Sequence, residues 1–270
     1  MIDIRKKCQS HLWLLTGTGE GYIFAKSLLK EGWKITVSVV SDRASIPYEK
    51  LNIEKILVGA LMSEDEIRSV ILNARNNQTG FHCVIDLTHP FATKITPTIL
   101  KICKELKQPF IRYERPIDNI SNAFLIKKFS DLGCYNLRNK SILFALGVRH
   151  LQEAIIFARD LGANVYARVL SNPESIKKTL SSSILKTNFA VLNPSVSSEG
   201  QIEKALIRKW DIDGVVCRQS GGMNEMLWHQ ICSSMGIDLW LLKRPYEIQY
   251  INSIDNYEDL LKRLKSINME

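Results

Sequence analysis

The sequence predicts an α/β protein of two Rossmann-like domains, each a parallel sheet covered by helices, with a ligand cleft between them. Three observations carry this prediction. Strand and helix signals alternate almost throughout the 270 residues, as the crossover connections of a parallel sheet require. The alternation restarts near Ser141 after a break that begins at Arg115. The apolar strands also end in glycine-rich, polar or basic turns, and sheets of this kind bind ligands outside the carboxyl ends of their strands.

Each element follows from its local pattern. Residues 12–15 form an apolar strand, and a helix runs from the following glycines to about Lys30, with Ala25, Leu28 and Leu29 as its apolar stripe. Gly32 suits the helix stop. Residues 35–40 are a β-branched second strand, 56–58 a short third and 64–75 a helix. Residues 83–87 make the fourth strand, 91–107 the next helix and 110–112 the fifth strand. In the second series, strands fall at 142–146, 164–169, 189–192, 214–217 and 239–242. The intervening helices lie at 150–161, 199–209 and 224–235, and 171–183 is a polar, serine-rich connection. The tail, 255–266, is an amphipathic helix whose Lys and Arg side chains form a solvated face. The domains are therefore set at residues 1–130 and 131–270.

Composition bounds the function. The chain is 45% hydrophobic and 24% charged, as an ordinary globular protein is. No apolar run approaches the ~20 residues that span a bilayer, and no apolar segment behind the basic first ten residues reads as a secretory signal. A cytoplasmic protein without a membrane partner is expected. The six cysteines are scattered at no metal-ligand or redox spacing, so no metal site is expected. Lys and Arg number 36 against 28 acids, a net charge of +8 that favours anionic partners. The positive residues are dispersed rather than gathered in a recognisable module, which argues against nucleic acid and for a small polyanion. Oligomeric state is left open.

The chemistry-bearing stretches are strand ends. Gly17-Thr18-Gly19-Glu20-Gly21 follows a strand and opens a helix, where glycines admit a phosphate to the backbone and helix N–H groups face it. The third glycine of the G-x-G-x-x-G fingerprint would fall at Tyr22, so the standard form fails. The second strand ends Ser41-Asp42-Arg43; Ser41 and Arg43 suit a ribose 2′-phosphate, favouring NADPH over NADH, while Asp42 argues the other way. Asp86-Leu87-Thr88-His89-Pro90-Phe91-Ala92 ends the fourth strand, and Pro90 holds His89 extended. Arg112-Tyr113-Glu114-Arg115-Pro116 is either an internal ion pair or an anion clamp. Arg218-Gln219-Ser220-Gly221-Gly222 and Lys243-Arg244-Pro245 are basic strand ends in the second half.

These stretches, in this order and spacing, resemble the precorrin-6A reductase family of cobalamin biosynthesis, in its metal-free and cobalt-dependent branches. Asp86-x-Thr88-His89-Pro90-Phe91-Ala92 is the specific match. The resemblance implies an NADPH-dependent reduction of one double bond in a polycarboxylate corrinoid precursor, with a proton added at the neighbouring carbon. It places Gly17, Thr18, Gly19 and Glu20 on the pyrophosphate and adjacent ribose, Ser41 and Arg43 on the 2′-phosphate, and Thr88, His89, Pro90 and Phe91 beside the nicotinamide. Arg115, Arg218, Ser220, Gly221, Gly222, Lys243 and Arg244 would hold substrate carboxylates. His89 or Asp86 would deliver the proton, with bound water an equal alternative. The family's Lys-Asp before Ser-Gly-Gly is Arg218-Gln219 here, its Gly-Pro-Phe is Asn193-Pro194-Ser195, and its helical Thr and Lys are replaced near Glu225 and Trp228. The alternatives are a divergent reductase of a related tetrapyrrole and an NAD(P)-binding module without chemistry. A short-chain dehydrogenase would need a Tyr-x-x-x-Lys pair on a suitable helix, which is not found.

Overall fold

A computed structural model describes residues 10–17, 19–61, 63–117, 123–193, 199–245 and 253–267. Its chain forms two compact units, residues 1–115 with 246–270 and residues 116–245. Thr18, Cys8, Pro194 and Ser195 lie outside the described residues.

The first unit runs β1 (His11–Thr16), α1 (Gly19–Lys30), β2 (Lys34–Val39), α2 (Asp42–Ser45), β3 (Lys55–Val58), α3 (Glu64–Asn76), β4 (Phe81–Leu87), α4 (Ile95–Glu105) and β5 (Phe110–Tyr113). β1 and β4 are buried along their whole length, as the central strands of a two-sided parallel sheet must be. One face of the sheet packs Leu12, Leu14, Val37 and Ile85 against Phe24, Ala25 and Leu28 of α1. The other packs Trp13, Leu15 and Val84 against Ile67 and Ile71 of α3 and Ile99 and Ile102 of α4. The buried Trp13 indole donates to Ser38 Oγ at 2.8 Å, so its N–H is not stranded. Ser63-x-x-Glu66 closes a reciprocal capping box on α3: Ser63 Oγ accepts the Glu66 N–H and Glu66 Oε2 accepts the Ser63 N–H.

The second unit runs β6 (Phe124–Ile126), β7 (Ser141–Ala145), α5 (Leu151–Asp160), β8 (Asn164–Val169), α6 (Pro173–Leu180), β9 (Phe189–Val191), α7 (Gln201–Trp210), β10 (Gly214–Arg218), α8 (Met223–Met235) and β11 (Asp238–Leu242). Its sheet packs Leu143, Val215, Cys217, Leu239 and Leu241 against Ile207 of α7 and Trp228, Ile231 and Cys232 of α8. β12 (Ser253–Ile254) and α9 (Tyr257–Ser266) follow and lie with the first unit.

The expected second domain, 131–270, is thus corrected at both ends. The division falls at Arg115, and the tail belongs to the first unit. The cause is packing: Ser253 and Ile254 pair with Arg112 and Tyr113 of β5, and Leu260 and Leu264 of α9 are fully buried in the core beside α1. The tail's solvated basic face is the back of a helix whose front completes that core.

Each sheet has six parallel strands. The orders are β12-β5-β4-β1-β2-β3 and β6-β11-β10-β7-β8-β9. Both are the doubly wound order, in which the chain reverses direction beside a central strand. The reversal falls between β1 and β4 in the first unit and between β7 and β10 in the second. Sheets of this order bind ligands at the carboxyl ends of the strands beside such a reversal.

Candidate functional site

In the first unit the predicted residues converge on the β1/β4 reversal. Gly17 and Gly19 follow β1 and are exposed, and a Cβ added to either would meet no atom of the described residues within 4 Å. Gly21 differs. A Cβ there would lie 2.7 Å from Thr16 Cβ and 2.7 Å from Tyr48 Oη. It performs the close helix–strand packing assigned to the third glycine of the dinucleotide fingerprint, one position before Tyr22. The spacing is G-x-G-x-G, so the standard fingerprint stays absent and Gly21 takes only the packing part of its third glycine. At the end of β2, Ser41 and Arg43 are exposed, and the Ser41 hydroxyl makes no capping bond to α2.

The turn after β4 is longer than expected. Residues 91–94 do not join the helix, which starts at Ile95. Instead the Ala92 N–H donates to the His89 carbonyl at 2.7 Å and the Phe91 N–H donates to His89 Nδ1 at 3.1 Å. Two backbone donors thereby fix His89, with the Phe91 ring 5.7 Å from its own. With Nδ1 accepting, the neutral ring carries its proton on Nε2.

Asp86 is fully buried and its oxygens are engaged. Oδ1 meets Arg112 Nη1 at 2.8 Å and accepts the Thr88 N–H at 2.9 Å, and Oδ2 accepts from Thr96 Oγ1 at 2.6 Å. Sheet register brings Arg112 directly opposite Asp86. Arg112 also donates to Thr88 Oγ1 at 2.9 Å and to Glu114 Oε1 at 2.8 Å. Burial disfavours its charge, and the two carboxylates more than offset that, so Arg112 titrates above the ordinary arginine range. The carboxylate proposed as proton donor is therefore a brace for the Thr88–Phe91 turn. Arg115 Nη2 bonds Glu20 Oε2 at 2.8 Å, so the Arg112–Arg115 segment takes the internal ion-pair reading and Arg115 is spent on the start of α1.

In the second unit, Arg218 ends β10 at the β7/β10 reversal, and Ser220, Gly221 and Gly222 lead into α8. The Gly221 N–H donates to Glu225 Oε2 at 2.6 Å, so an internal carboxylate already occupies the donor expected to meet substrate. Glu225 and His229 are both buried, with His229 Nε2 3.6 Å from Glu225 Oε1. Arg244 is buried and structural: Nε donates to the Gln219 carbonyl at 3.0 Å, and Nη2 donates to the Pro116 carbonyl at 3.4 Å. It ties the turn after β11 to the turn after β10. Lys243 is half-buried and directly follows β11. Cys217 in β10 is pushed well above the ordinary thiol range by burial and is inert at neutral pH. Among the described residues no group of three metal-ligating side chains converges.

A family model described as Precorrin-6x reductase CbiJ/CobK matches residues 11–265, almost the whole described chain. The chain belongs to the precorrin-6x reductase family. It is 29% identical over 243 residues to a cobalt-precorrin-6A reductase of Synechocystis sp., covering 88% of this chain and 89% of that one. It is 25% identical over 248 residues to a precorrin-6A reductase of Mycobacterium tuberculosis, covering 90% and 92%. The solved structure of CobK precorrin-6A reductase matches with a TM-score of 0.70 over 96% of this chain and 98% of that one, at 16% identity, a likeness of fold. As a precorrin-6x reductase the chain is an oxidoreductase, and the reductase names imply a nicotinamide cofactor. The exposed glycines that follow β1 fit such a group: the backbone is open where a pyrophosphate would approach. Sequence reading named Gly21 and Glu225 without giving either a structural role, and missed Thr96. Gly21 was visible as the fifth residue of its own turn; Thr96 and Glu225 carry no signal until register and helix phase are known.

Proposed function

We propose that this chain reduces one double bond of precorrin-6A, or of its cobalt complex, at the expense of NADPH. The supporting observation is the β1/β4 reversal, where the open Gly17 and Gly19 backbone and the braced Thr88–Phe91 turn lie at neighbouring strand ends. Bound NADPH supplies the hydride. Gly17 and Gly19 leave room for its pyrophosphate, and the α1 N–H groups face that charge. Ser41 and Arg43 receive the 2′-phosphate, Arg43 as a multidentate charged donor. Thr88, His89, Pro90 and Phe91 form a wall on the nicotinamide side, kept rigid by the Asp86–Arg112–Thr96 network. Arg218, Ser220, Gly222 and Lys243 receive carboxylates of the macrocycle's acetate and propionate arms. His89 Nε2 is the protein atom assigned to pass on a proton in this reading, with water as the other source.

Purified protein mixed with NADPH and either macrocycle should oxidise NADPH while the macrocycle's visible spectrum shifts. NADPH binding without turnover would favour the alternative of a binding module. Arg43→Ala should weaken NADPH by about tenfold or more, the worth of one charge-assisted contact, and leave NADH unchanged. Equal loss for both cofactors would remove Arg43 from the 2′-phosphate. For His89→Ala, single-turnover reduction at saturating NADPH should slow by about a hundredfold if the ring transfers the proton. An unchanged rate would assign the proton to water and leave His89 as wall alone.

A further inference from the structure

The connection from β2 to β3 carries Ser41 and Arg43 near its start and Tyr48 near its middle. Residues 41–50 are bonded to one another as one piece. The Ala44 N–H donates to the Ser41 carbonyl at 2.9 Å, and Ser45 Oγ donates to the Asp42 carbonyl at 2.7 Å. Ser45 Oγ also lies 3.2 Å from Oε1 of Glu49, the residue after Tyr48 in the 3-10 turn Tyr48–Lys50. Tyr48 is thus the buried end of a short arm whose exposed end is the Ser41–Arg43 edge.

The arm is seated beside the glycine turn. Tyr48 is 3% exposed and belongs to the core of Leu14, Val37, Val39 and Phe24. A phenol hydroxyl buried among such side chains calls for a partner. A Cβ on Gly21 would stand 2.7 Å from Tyr48 Oη and 2.7 Å from Thr16 Cβ, so the hydroxyl and the Thr16 side chain meet in the space that Gly21 leaves. Thr16 Oγ1 donates its one hydrogen to the Ser38 carbonyl at 3.1 Å, so toward Tyr48 it acts as acceptor. Burial pushes the Tyr48 phenol above its ordinary range, and the hydrogen bond with Thr16 pulls less strongly the other way, so at neutral pH Tyr48 keeps the hydrogen it donates. Thr16 ends β1 and directly precedes Gly17. Apolar packing is non-directional, whereas an O–H···O bond sets both a distance and an angle. The hydroxyl therefore fixes how the arm sits against the turn.

We propose that Tyr48 is a positioning residue for cofactor choice: its hydroxyl, held by Thr16 in the gap left by Gly21, sets the Ser41–Arg43 edge at a fixed distance from the glycine turn, and the 2′-phosphate is recognised through that distance. The role in cofactor choice rests on the NADPH reading above; the seat of Tyr48 rests on the packing around Gly21.

The test is Tyr48→Phe, read by the dissociation constants of NADPH and NADH, which differ in the 2′-phosphate alone. The variant should weaken NADPH about fivefold, the worth of one hydrogen bond, and leave NADH unchanged. Thr16→Val keeps the shape and removes the acceptor, so it should lower the preference for NADPH by the same factor, and Thr16→Ser should restore it. A merely structural tyrosine would lower Tm and weaken both cofactors alike. That result, or an unchanged NADPH affinity in Tyr48→Phe, overturns the proposal. Should Tyr48→Phe fail to fold, the two Thr16 variants decide by the same ratio. If Arg43→Ala removes the preference for NADPH and Tyr48→Phe keeps it, the positioning role falls and the 2′-phosphate reading stands. If the wild-type protein shows no preference for NADPH, both fall.

Discussion

Asp86 shows how far a residue's type and its role can diverge. A carboxylate at the end of a central strand, three residues before a histidine, has the makings of a proton donor. In the structure its charge balances Arg112 and its oxygens also take a hydroxyl and a backbone N–H. Removing one partner of a buried pair leaves the other charge uncompensated. Asp86→Ala should lower unfolding stability by about 3 kcal/mol or more in a denaturant titration, since of the two carboxylates bonded to Arg112 only the partly exposed Glu114 remains. A loss of activity without that loss of stability would return Asp86 to the chemistry. Arg112, Arg115 and Arg244 teach the same point. In sequence they are indistinguishable from Arg43 and Arg218, all being cations at strand ends. Register across β4 and β5 commits Arg112, and the approach of α1 to the end of β5 commits Arg115. Arg244 is committed by two backbone carbonyls that only the folded turns bring within reach. Residue chemistry was legible beforehand; the partners that consume it were not.

At the scale of elements, periodicity located the central strands and most helices because burial on both sheet faces forces continuous apolar runs. The edge strands β6 and β12, three and two residues long, are too short to carry such a run. The start of α4 was misplaced because Phe91 is buried for the sake of the turn, next to His89, and apolar periodicity cannot tell that burial from helix packing. The α1 glycines make a testable contrast. Gly21→Ala forces Cβ against Thr16 Cβ, a strand atom with nowhere to retreat. Overpacking of about 1–3 kcal/mol exceeds the gain of at most ~1 kcal/mol from alanine's helix propensity. Gly21→Ala should therefore lower Tm in the absence of any ligand and weaken NADPH by moving the helix. Gly17→Ala, which meets open space, should leave Tm unchanged and weaken NADPH alone. Equal Tm values for the two variants would show that α1 does not depend on Gly21 for its seat against β1.

For the whole molecule, the alternation of elements was sufficient to predict two parallel α/β units but insufficient to say which unit owns the tail. Helix α9 has the amphipathic pattern of many terminal helices, and only the pairing of β12 with β5 assigns it. The dispersed +8 charge now divides by use: part neutralises buried carboxylates within the units, and part lies at the carboxyl edges of the sheets, where a polyanionic ligand would meet it. The fold is thus the well-read part of this sequence and the wiring of its cations the poorly read part.

The return of the tail sets an order on biosynthesis. As the chain leaves the ribosome, β1 to β5 emerge before residues 116–245, yet the face of their sheet beside α1 lacks Ile254, Leu260 and Leu264 until those residues follow. Residues 116–245 are contiguous and contain every strand of their own sheet. The half made first is therefore the half completed last, and it carries an uncapped apolar seam through the synthesis of about 130 intervening residues.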